Sequence, residues 1–145
     1  MSSPSHSPAP APKLSATILL VRDGSTGLEV FMVKRHHQID FATGAMVFPG
    51  GKLEEGDSDP RLRARCSGAD SLDADALAVR VGAIRETFEE SGVLLARPRG
   101  SSALVTADRL HEIEARWRDR LNVDEAGLID VALADQVAGV KALGA

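Results

Sequence analysis

Three carboxylates and one arginine fall within two helical turns in the segment Arg85-Glu86-Thr87-Phe88-Glu89-Glu90-Ser91-Gly92. Each residue of a helix advances about 100°, so Glu86, Glu89 and Glu90 share an arc of about 100°. The opposite face of the same helix is apolar and carries Leu77, Val81, Ile84 and Phe88. The sequence therefore predicts a helix that is packed on one face and negatively charged on the other.

The three glutamates repel one another, because like charges three or four residues apart on a helix cost about 0.2–0.5 kcal/mol per pair. A cation among them would remove that cost. Mg²⁺ usually takes one or two carboxylates and completes its shell with water and substrate phosphate oxygens. The pattern thus indicates metal-assisted phosphate chemistry, and the alternative is a solvated acidic face, which is what most runs of charge are.

The ends of this helix are marked in the sequence. Asp73 can cap its start by accepting a hydrogen bond from the backbone N–H of Asp75 or Ala76, and Gly92 is well placed to end it. Upstream, Gly50 and Gly51 allow a loop to turn sharply and bring its backbone close to a ligand. We expect the loop and the helix to form one site.

Gly51, five residues, the acid Asp57, a spacer and then Arg-Glu-x-x-Glu-Glu-x-Gly at 85–92 resemble the Nudix box of the Nudix hydrolases. The resemblance implies an α/β fold, a Nudix-type α/β/α sandwich with a mixed sheet. It also implies Mg²⁺ (or Mn²⁺) as cofactor and hydrolysis of a small-molecule diphosphate. Carried over by position, it implies the following roles: Glu86, Glu89 and Glu90 as metal ligands, one of them a candidate base, Arg85 as the residue that orients them, and the carbonyl of Gly50 as a further ligand.

The chain departs from the family box at three places. Asp57 stands where the box has Glu, and Thr87 stands where it has an aliphatic residue, at the edge between the two helix faces. The spacer of 27 residues, 58–84, is much longer than the usual one. We expect 58–73 to be an inserted, exposed loop, since it contains Pro60 and Gly68, and 74–92 to be the Nudix helix.

The long insertion resembles the acyl-CoA diphosphatase branch of the family, and the segment ahead of the box resembles the coenzyme A signature. That signature falls on Phe31-Met32-Val33-Lys34-Arg35, Gly44 and Phe48-Pro49-Gly50-Gly51. It implies that Arg35, Gly44 and Gly51 bind substrate.

One residue does not fit the coenzyme A signature. Asp40 stands where the signature has a second arginine, an acid that would discourage a phosphate unless Lys34, His36 or His37 compensates. Three functions stay open: a coenzyme A or acyl-CoA diphosphatase, a catalytically weak ligand-binding or regulatory Nudix module, and a hydrolase of another nucleoside diphosphate derivative.

The remaining pattern predicts one domain over 14–145. We expect a hairpin of a buried strand at 14–22, a turn at 23–27 and a returning strand at 28–34, with short strands at 45–48 and 93–96. Segment 106–143 should be mostly helical, with helices at 107–121, where Trp117 anchors the core, and at 127–143. No strong strand follows, so the domain lacks the usual C-terminal strands of the family. A longer parent protein, a partner that completes the sheet and a non-catalytic remnant all remain open, and unpaired strand edges make a homodimer a candidate.

Composition fits one soluble globular domain, with 43% apolar and 26% charged residues in 145. Residues 1–13 are rich in Pro and Ser and predict a disordered tail without the apolar core of a secretion signal. The net charge of −4 argues against nucleic acid as a partner, and no long apolar run predicts a membrane span. The single cysteine, Cys66, suits a cytoplasmic location and should be a surface or half-buried thiol.

Overall fold

The computed structural model describes residues 12–34 and 44–139. Its strands are β1 (Ser15–Thr17), β2 (Leu20–Gly24), β3 (Gly27–Phe31), β4 (Val33–Lys34), β5 (Met46–Val47), β6 (Gly50–Lys52), β7 (Ala96–Pro98) and β8 (Val137–Gly139). Its helices are α1 (Ala74–Ser91), α2 (Ala107–Asn122) and α3 (Leu128–Ala134), with 3₁₀ helices at Glu55–Ser58, Pro60–Arg65 and Ala69–Ser71. No helix in this part of the chain is long and apolar enough to cross a membrane.

The strands pair two by two, and every pair is antiparallel: β1 with β6, β2 with β3, β4 with β5 and β7 with β8. One isolated parallel bridge joins Cys66 to Gly139. Helices and strands thus form the expected α/β fold, but over the described residues the strands make separate two-stranded antiparallel pieces in place of one mixed sheet. The pieces that matter for the site are β1 and β6, because α1 packs against both.

Helix α1 has the bounds that its capping residues predict. Asp73 Oδ1 accepts from the backbone N–H of Ala76 at 2.8 Å, and Gly92 adopts a left-handed conformation (φ 73°) while its N–H donates to the Phe88 carbonyl. The expected apolar face, with Leu77, Val81, Ile84 and Phe88, is buried. Full burial of such side chains contributes about 1.5–3 kcal/mol each, so this face fixes how α1 is rotated.

The core lies between α1, α2 and α3. Ile113, Trp117 and Leu121 of α2 pack into it as the helical spacing predicts, together with Leu128 and Val131 of α3. The buried carboxylate of Asp135 accepts a hydrogen bond from Trp117 Nε1 at 2.6 Å and also contacts Arg109 and Arg116. The core formed with α2 and α3 therefore supports the apolar face of α1.

Two expectations about the second half are wrong. The helix expected over 127–143 ends at Ala134, because Asp135 turns inward and Gln136 takes a positive φ of 53°. The chain then forms β8, which the sequence pattern did not predict, and β8 pairs with β7 in register Ala96–Gly139. The strand expected at 93–96 correspondingly begins at Ala96.

The inserted segment is also different from the exposed loop that was expected. It folds into short 3₁₀ helices whose Leu62 and Ala69 are buried in the core, and Asp59 caps one of them by accepting from the Arg61 N–H at 2.9 Å. Cys66 is buried with them, so it is a core thiol rather than a surface one. The polar residues of the segment hide this pattern, because only every third or fourth side chain faces inward.

The run expected as one buried strand at 14–22 is divided. β1 ends at Thr17 and pairs with β6, whereas β2 begins at Leu20 and forms a hairpin with β3. The hairpin is exposed: the accessible fractions are 52% for Val21 and 69% for Leu28. The strand expected at 45–48 is the short β5, paired with β4.

Candidate active site

The centre of the candidate site is the guanidinium of Arg85, which projects from α1 and has only 2% of its side chain exposed. Its Nε and Nη2 each donate to one carboxylate oxygen of Asp57, both at 3.0 Å. Asp57 Oδ2 also accepts from the backbone N–H of Glu54 at 2.9 Å. This bidentate pair ties the segment after the glycine loop to α1, although 27 residues separate Asp57 from Arg85 in the sequence.

The shorter acid at position 57 fits a close contact with α1. A Cβ built on Gly82 of α1 would lie 3.1 Å from Asp57 Oδ2 and 2.5 Å from Leu53 Cδ2. The missing side chain at Gly82 lets the carboxylate approach the helix closely enough to meet Arg85. The replacement of Glu by Asp therefore leaves the contact with Arg85 intact.

The same guanidinium reaches three further carboxylates. Arg85 Nη1 lies 2.9 Å from Glu89 Oε2 and 3.1 Å from Glu54 Oε1, and Nη2 lies 3.2 Å from Glu86 Oε1. Nη2 also donates to the Lys52 carbonyl of β6 at 2.9 Å. The structure thus brings Glu86 and Glu89 together around Arg85, as the sequence predicted. It adds Glu54, which sequence reasoning missed although it stands three residues before Asp57 at the start of a helical turn.

Negative charge exceeds positive charge at this place, since one guanidinium faces four carboxylates. Burial raises the pKa of Glu89 to about 7, against the opposing charge of Arg85, and burial also raises the pKa values of Glu86 and Glu54. Burial alone would lower the pKa of Arg85, but its hydrogen bonds with Asp57 and the surrounding acids raise it. Arg85 is therefore a fixed cation beside three glutamates, Glu54, Glu86 and Glu89, whose burial disfavours the ionised form.

The third glutamate of the acidic face contacts the glycine loop. Glu90 Oε2 accepts from the backbone N–H of Gly50 at 3.2 Å. Neither Gly50 nor Gly51 has room for a larger residue, because neighbouring atoms lie too close to the backbone. A Cβ on Gly50 would lie 2.3 Å from the carbonyl oxygen of Ala16, and one on Gly51 would lie 2.2 Å from Glu86 Oε1. The loop therefore lies directly against the acidic face. The part proposed for the Gly50 carbonyl stays a prediction.

A cleft of about 930 Å³ opens over this face. Its acidic side carries Glu54, Glu86, Glu89 and Glu90. The other residues that line it include Val33, Lys34, Val47, Phe48 and Lys52. The two lysines and the apolar residues of this lining suit a ligand with an anionic part and an apolar part.

The residues implied as substrate contacts are only partly placed. Gly51 lines the cleft, and Gly44 lies near it, since a Cβ there would be 3.6 Å from Lys34 Cε. Arg35, together with His36, His37 and Asp40, lies outside the described residues. Lys34 and Phe48 line the cleft, and the sequence pattern did not assign Phe48 a place there.

The donor set fits a hard divalent cation in its chemistry. The donors are carboxylate oxygens, negative charge is in excess, and Glu89 Oε1 is buried without a hydrogen-bond partner. Among residues 12–34 and 44–139, no three acidic, His or Cys side chains already converge as a metal cage. The reason is visible in the contacts: Glu86 and Glu89 turn an oxygen to Arg85, and Glu90 turns one to Gly50.

Thr87, the remaining departure from the box, lies on the buried side of α1 rather than at an edge. It is fully buried, and its hydroxyl donates to the Ala83 carbonyl one turn earlier at 2.7 Å. Its polar atom is thereby satisfied within the helix. Thr87 fills the place of an aliphatic residue and keeps α1 in position.

Known proteins resemble this chain in sequence and in fold. A family model described as the NUDT19 Nudix domain matches residues 62–143. The acyl-coenzyme A diphosphatase NUDT19 of Xenopus laevis is 31% identical over 127 residues, an alignment that covers 68% of this chain and 33% of that protein. The chain thus spans about a third of the length of this curated relative.

A solved structure gives the same result for the fold. The crystal structure of a NUDIX hydrolase from Alicyclobacillus acidocaldarius superposes with a TM-score of 0.58 at 26% sequence identity. The match covers 88% of this chain and 56% of that one. Because the family model matches more than half of the chain, and the Arg85 network joins both halves of the box, the chain belongs to the Nudix family, close to its acyl-CoA diphosphatase branch.

Proposed function

We propose that this chain is a Nudix diphosphatase that uses a divalent cation, Mg²⁺ or Mn²⁺, to hydrolyse the diphosphate bond of coenzyme A or acyl-CoA. The observation that carries the proposal is the cluster of four carboxylates around Arg85 at the edge of an open cleft. The similarity to a protein named acyl-coenzyme A diphosphatase supports the substrate class.

In this proposal the residues that hold the cation are Glu86, Glu89 and Glu90, with the Gly50 carbonyl beside them. When bound, the cation supplies positive charge that stabilises the developing charge on the phosphate oxygens. Arg85 keeps Glu86 and Glu89 at the cleft by bonding one oxygen of each. The Glu89 oxygen without a partner, Oε1, is the atom that we expect to turn toward the cation.

The reaction is hydrolysis of a phosphoric anhydride. The oxygen of a water molecule bonds to one phosphorus, the bridging P–O bond breaks, and the bridging oxygen leaves with the other phosphate. One of the three glutamates accepts a proton of the attacking water.

The other residues that line the cleft would hold the remainder of the substrate. Lys34 and Lys52 line the same cleft as the acidic face, and their ammonium groups could contact phosphate oxygens there. Val33, Val47 and Phe48 offer an apolar surface for an adenine ring or an acyl chain. Arg35 and Gly44 remain proposed substrate residues.

The test is hydrolysis of a substrate panel. The purified chain is incubated with coenzyme A, several acyl-CoA thioesters, ADP-ribose and dinucleotide polyphosphates, each with Mg²⁺, with Mn²⁺ and with EDTA, and products are separated by chromatography. We expect metal-dependent cleavage that is fastest with the coenzyme A compounds. Preferential cleavage of ADP-ribose or a dinucleotide would change the proposed substrate class but not the proposed reaction.

A catalytically weak, ligand-binding Nudix module is the second candidate. It is favoured by Asp40, which stands where the coenzyme A signature has a second arginine. Metal binding without turnover of any compound in the panel would support it. Self-association through the hairpin and a cytoplasmic location remain proposals, which light scattering and cell fractionation test.

A further inference from the structure

Glu89 and Glu90 lie in the last turn of α1. The last backbone carbonyls of a helix lack hydrogen-bond partners within it, so this turn needs partners from elsewhere to keep its shape. Here the Gly92 N–H donates to the Phe88 carbonyl at 2.8 Å. The next N–H, that of Val93, lies 3.3 Å from Ser91 Oγ rather than extending the helical ladder to Glu89. The Glu89 carbonyl therefore needs a partner from outside the helix.

That partner comes from α2. Arg118 Nε donates to the Glu89 carbonyl at 2.9 Å, and Arg118 Nη1 lies 2.5 Å from Glu114 Oε1, one turn earlier on α2. The Glu114 carboxylate in turn lies against Gly92, where a Cβ would be 2.6 Å from Glu114 Oε1. A guanidinium at the carboxyl end of α1 also complements the helix dipole.

The contact acts on the same turn that presents the acidic face. Glu89 and Glu90 direct their side chains to Arg85 and to Gly50, and both depend on the last turn of α1 keeping its helical shape. Helix ends fray when their last carbonyls are free. Arg118 removes that freedom at the residue where a small rotation would displace both carboxylates.

We infer that Arg118 is a positioning residue of the acidic site: by holding the Glu89 carbonyl from α2, it fixes the carboxylates of Glu89 and Glu90 for a divalent cation. The inference rests on the proposed function of that site. It adds to it a residue about thirty positions downstream, outside the box, that touches neither substrate nor cation.

The experiment measures Mn²⁺ binding directly, by electron paramagnetic resonance of free Mn²⁺ and by calorimetry, without substrate. Arg118→Met should weaken Mn²⁺ binding by about tenfold, the lower end of what outer partners of metal ligands contribute. Arg118→Lys, which keeps one donor and the charge, should recover part of the loss. Arg120→Met is the matched control, since Arg120 lies on the same helix but stacks on Trp117, 4.8 Å from the ring centroid.

The control variant should bind Mn²⁺ as the wild type does, which excludes an effect of net charge. Wild-type affinity in Arg118→Met overturns the inference, and so does an equal loss in Arg120→Met. If Arg118→Met does not fold, Arg118→Lys and Glu114→Gln decide, and unchanged Mn²⁺ affinity in both overturns it. A wild-type chain that binds no Mn²⁺ refutes the proposed function itself, and the inference with it.

Discussion

The acidic face of α1 and the β2–β3 hairpin both carry arginine–carboxylate contacts, yet their surroundings are opposite. Arg85 is 2% exposed and meets four carboxylates, whereas Arg22 on the hairpin is 80% exposed and pairs with Glu29 at 2.6 Å. The first group is held by the core behind α1, and the second lies on a hairpin with exposed aliphatic side chains. The acidic face of α1 is therefore held in place by the packing of the core, whereas the hairpin contributes little to that packing.

The largest expected effect is that of removing the central guanidinium. Arg85→Met leaves the buried Asp57 and the partly buried Glu89 without their cation, and breaking a buried pair in this way costs about 3–5 kcal/mol of unfolding free energy. Arg22→Met on the hairpin should cost less than about 1 kcal/mol. Urea unfolding followed by circular dichroism measures both, and similar losses in the two variants would erase the contrast between the two regions.

Two glycines, one beside the acidic face and one in the hairpin, should respond differently to substitution by alanine. Gly50 and Gly27 both have positive φ, 156° and 136°, but a Cβ on Gly50 would lie 2.3 Å from the Ala16 carbonyl oxygen, whereas one on Gly27 meets nothing within 4 Å. Gly27→Ala should therefore show only the backbone strain of about 1–2 kcal/mol. Gly50→Ala should add about 1–3 kcal/mol of steric cost. Thermal unfolding of both variants checks this, and equal melting temperatures would mean that the loop does not lie tightly on β1.

The raised pKa of Glu89 predicts a pH dependence for the metal-free protein. Its folded value of about 7 lies above the ordinary value of 4.5, so the folded state favours the protonated carboxyl. That stabilisation is present below pH 4.5 and is lost as the pH rises through 7, by at most about 3 kcal/mol at 1.36 kcal/mol per pKa unit. Comparison with Glu89→Gln isolates it.

The measurement is urea unfolding of the wild type and Glu89→Gln in EDTA between pH 4.5 and 8. The difference in unfolding free energy between wild type and variant should fall with rising pH, and saturating Mg²⁺ should reverse the trend for the wild type alone. A pH-independent difference would show that Glu89 ionises at its ordinary pKa.

The smallest effect concerns the apolar residues of the two regions. Val81 on α1 is fully buried and Val21 on the hairpin is 52% exposed, so the same change to Thr probes both. Val81→Thr should cost about 1–3 kcal/mol, because a buried hydroxyl is introduced, and Val21→Thr less than about 0.5 kcal/mol. A large loss in Val21→Thr would show that the hairpin is covered in solution, which light scattering would then identify as self-association or exclude.

The sequence predicts features that depend on local signals and does not predict those that depend on contacts between distant segments. Asp73, Gly92 and the apolar spacing of α1 are local signals, so the helix and the grouping of its glutamates followed from them. The burial of Leu62 and the end of α3 at Ala134 could not be predicted, because they depend on contacts between distant segments. Neither could the support of Glu89 by Arg118, since its signal is one arginine on an otherwise polar helix face.

If the acidic face of α1 is a cation site at which a diphosphate is hydrolysed, the wild type and Glu89→Gln should differ sharply in the acyl-CoA assay with Mg²⁺. The substitution keeps the size of the side chain and its contact with Arg85 while removing the charge. We predict that the wild type cleaves acyl-CoA only with the metal, and that the variant loses about 100-fold or more of this activity while it unfolds as cooperatively as the wild type. Equal rates in the two proteins would contradict the claim and leave the acidic face as a structural feature alone.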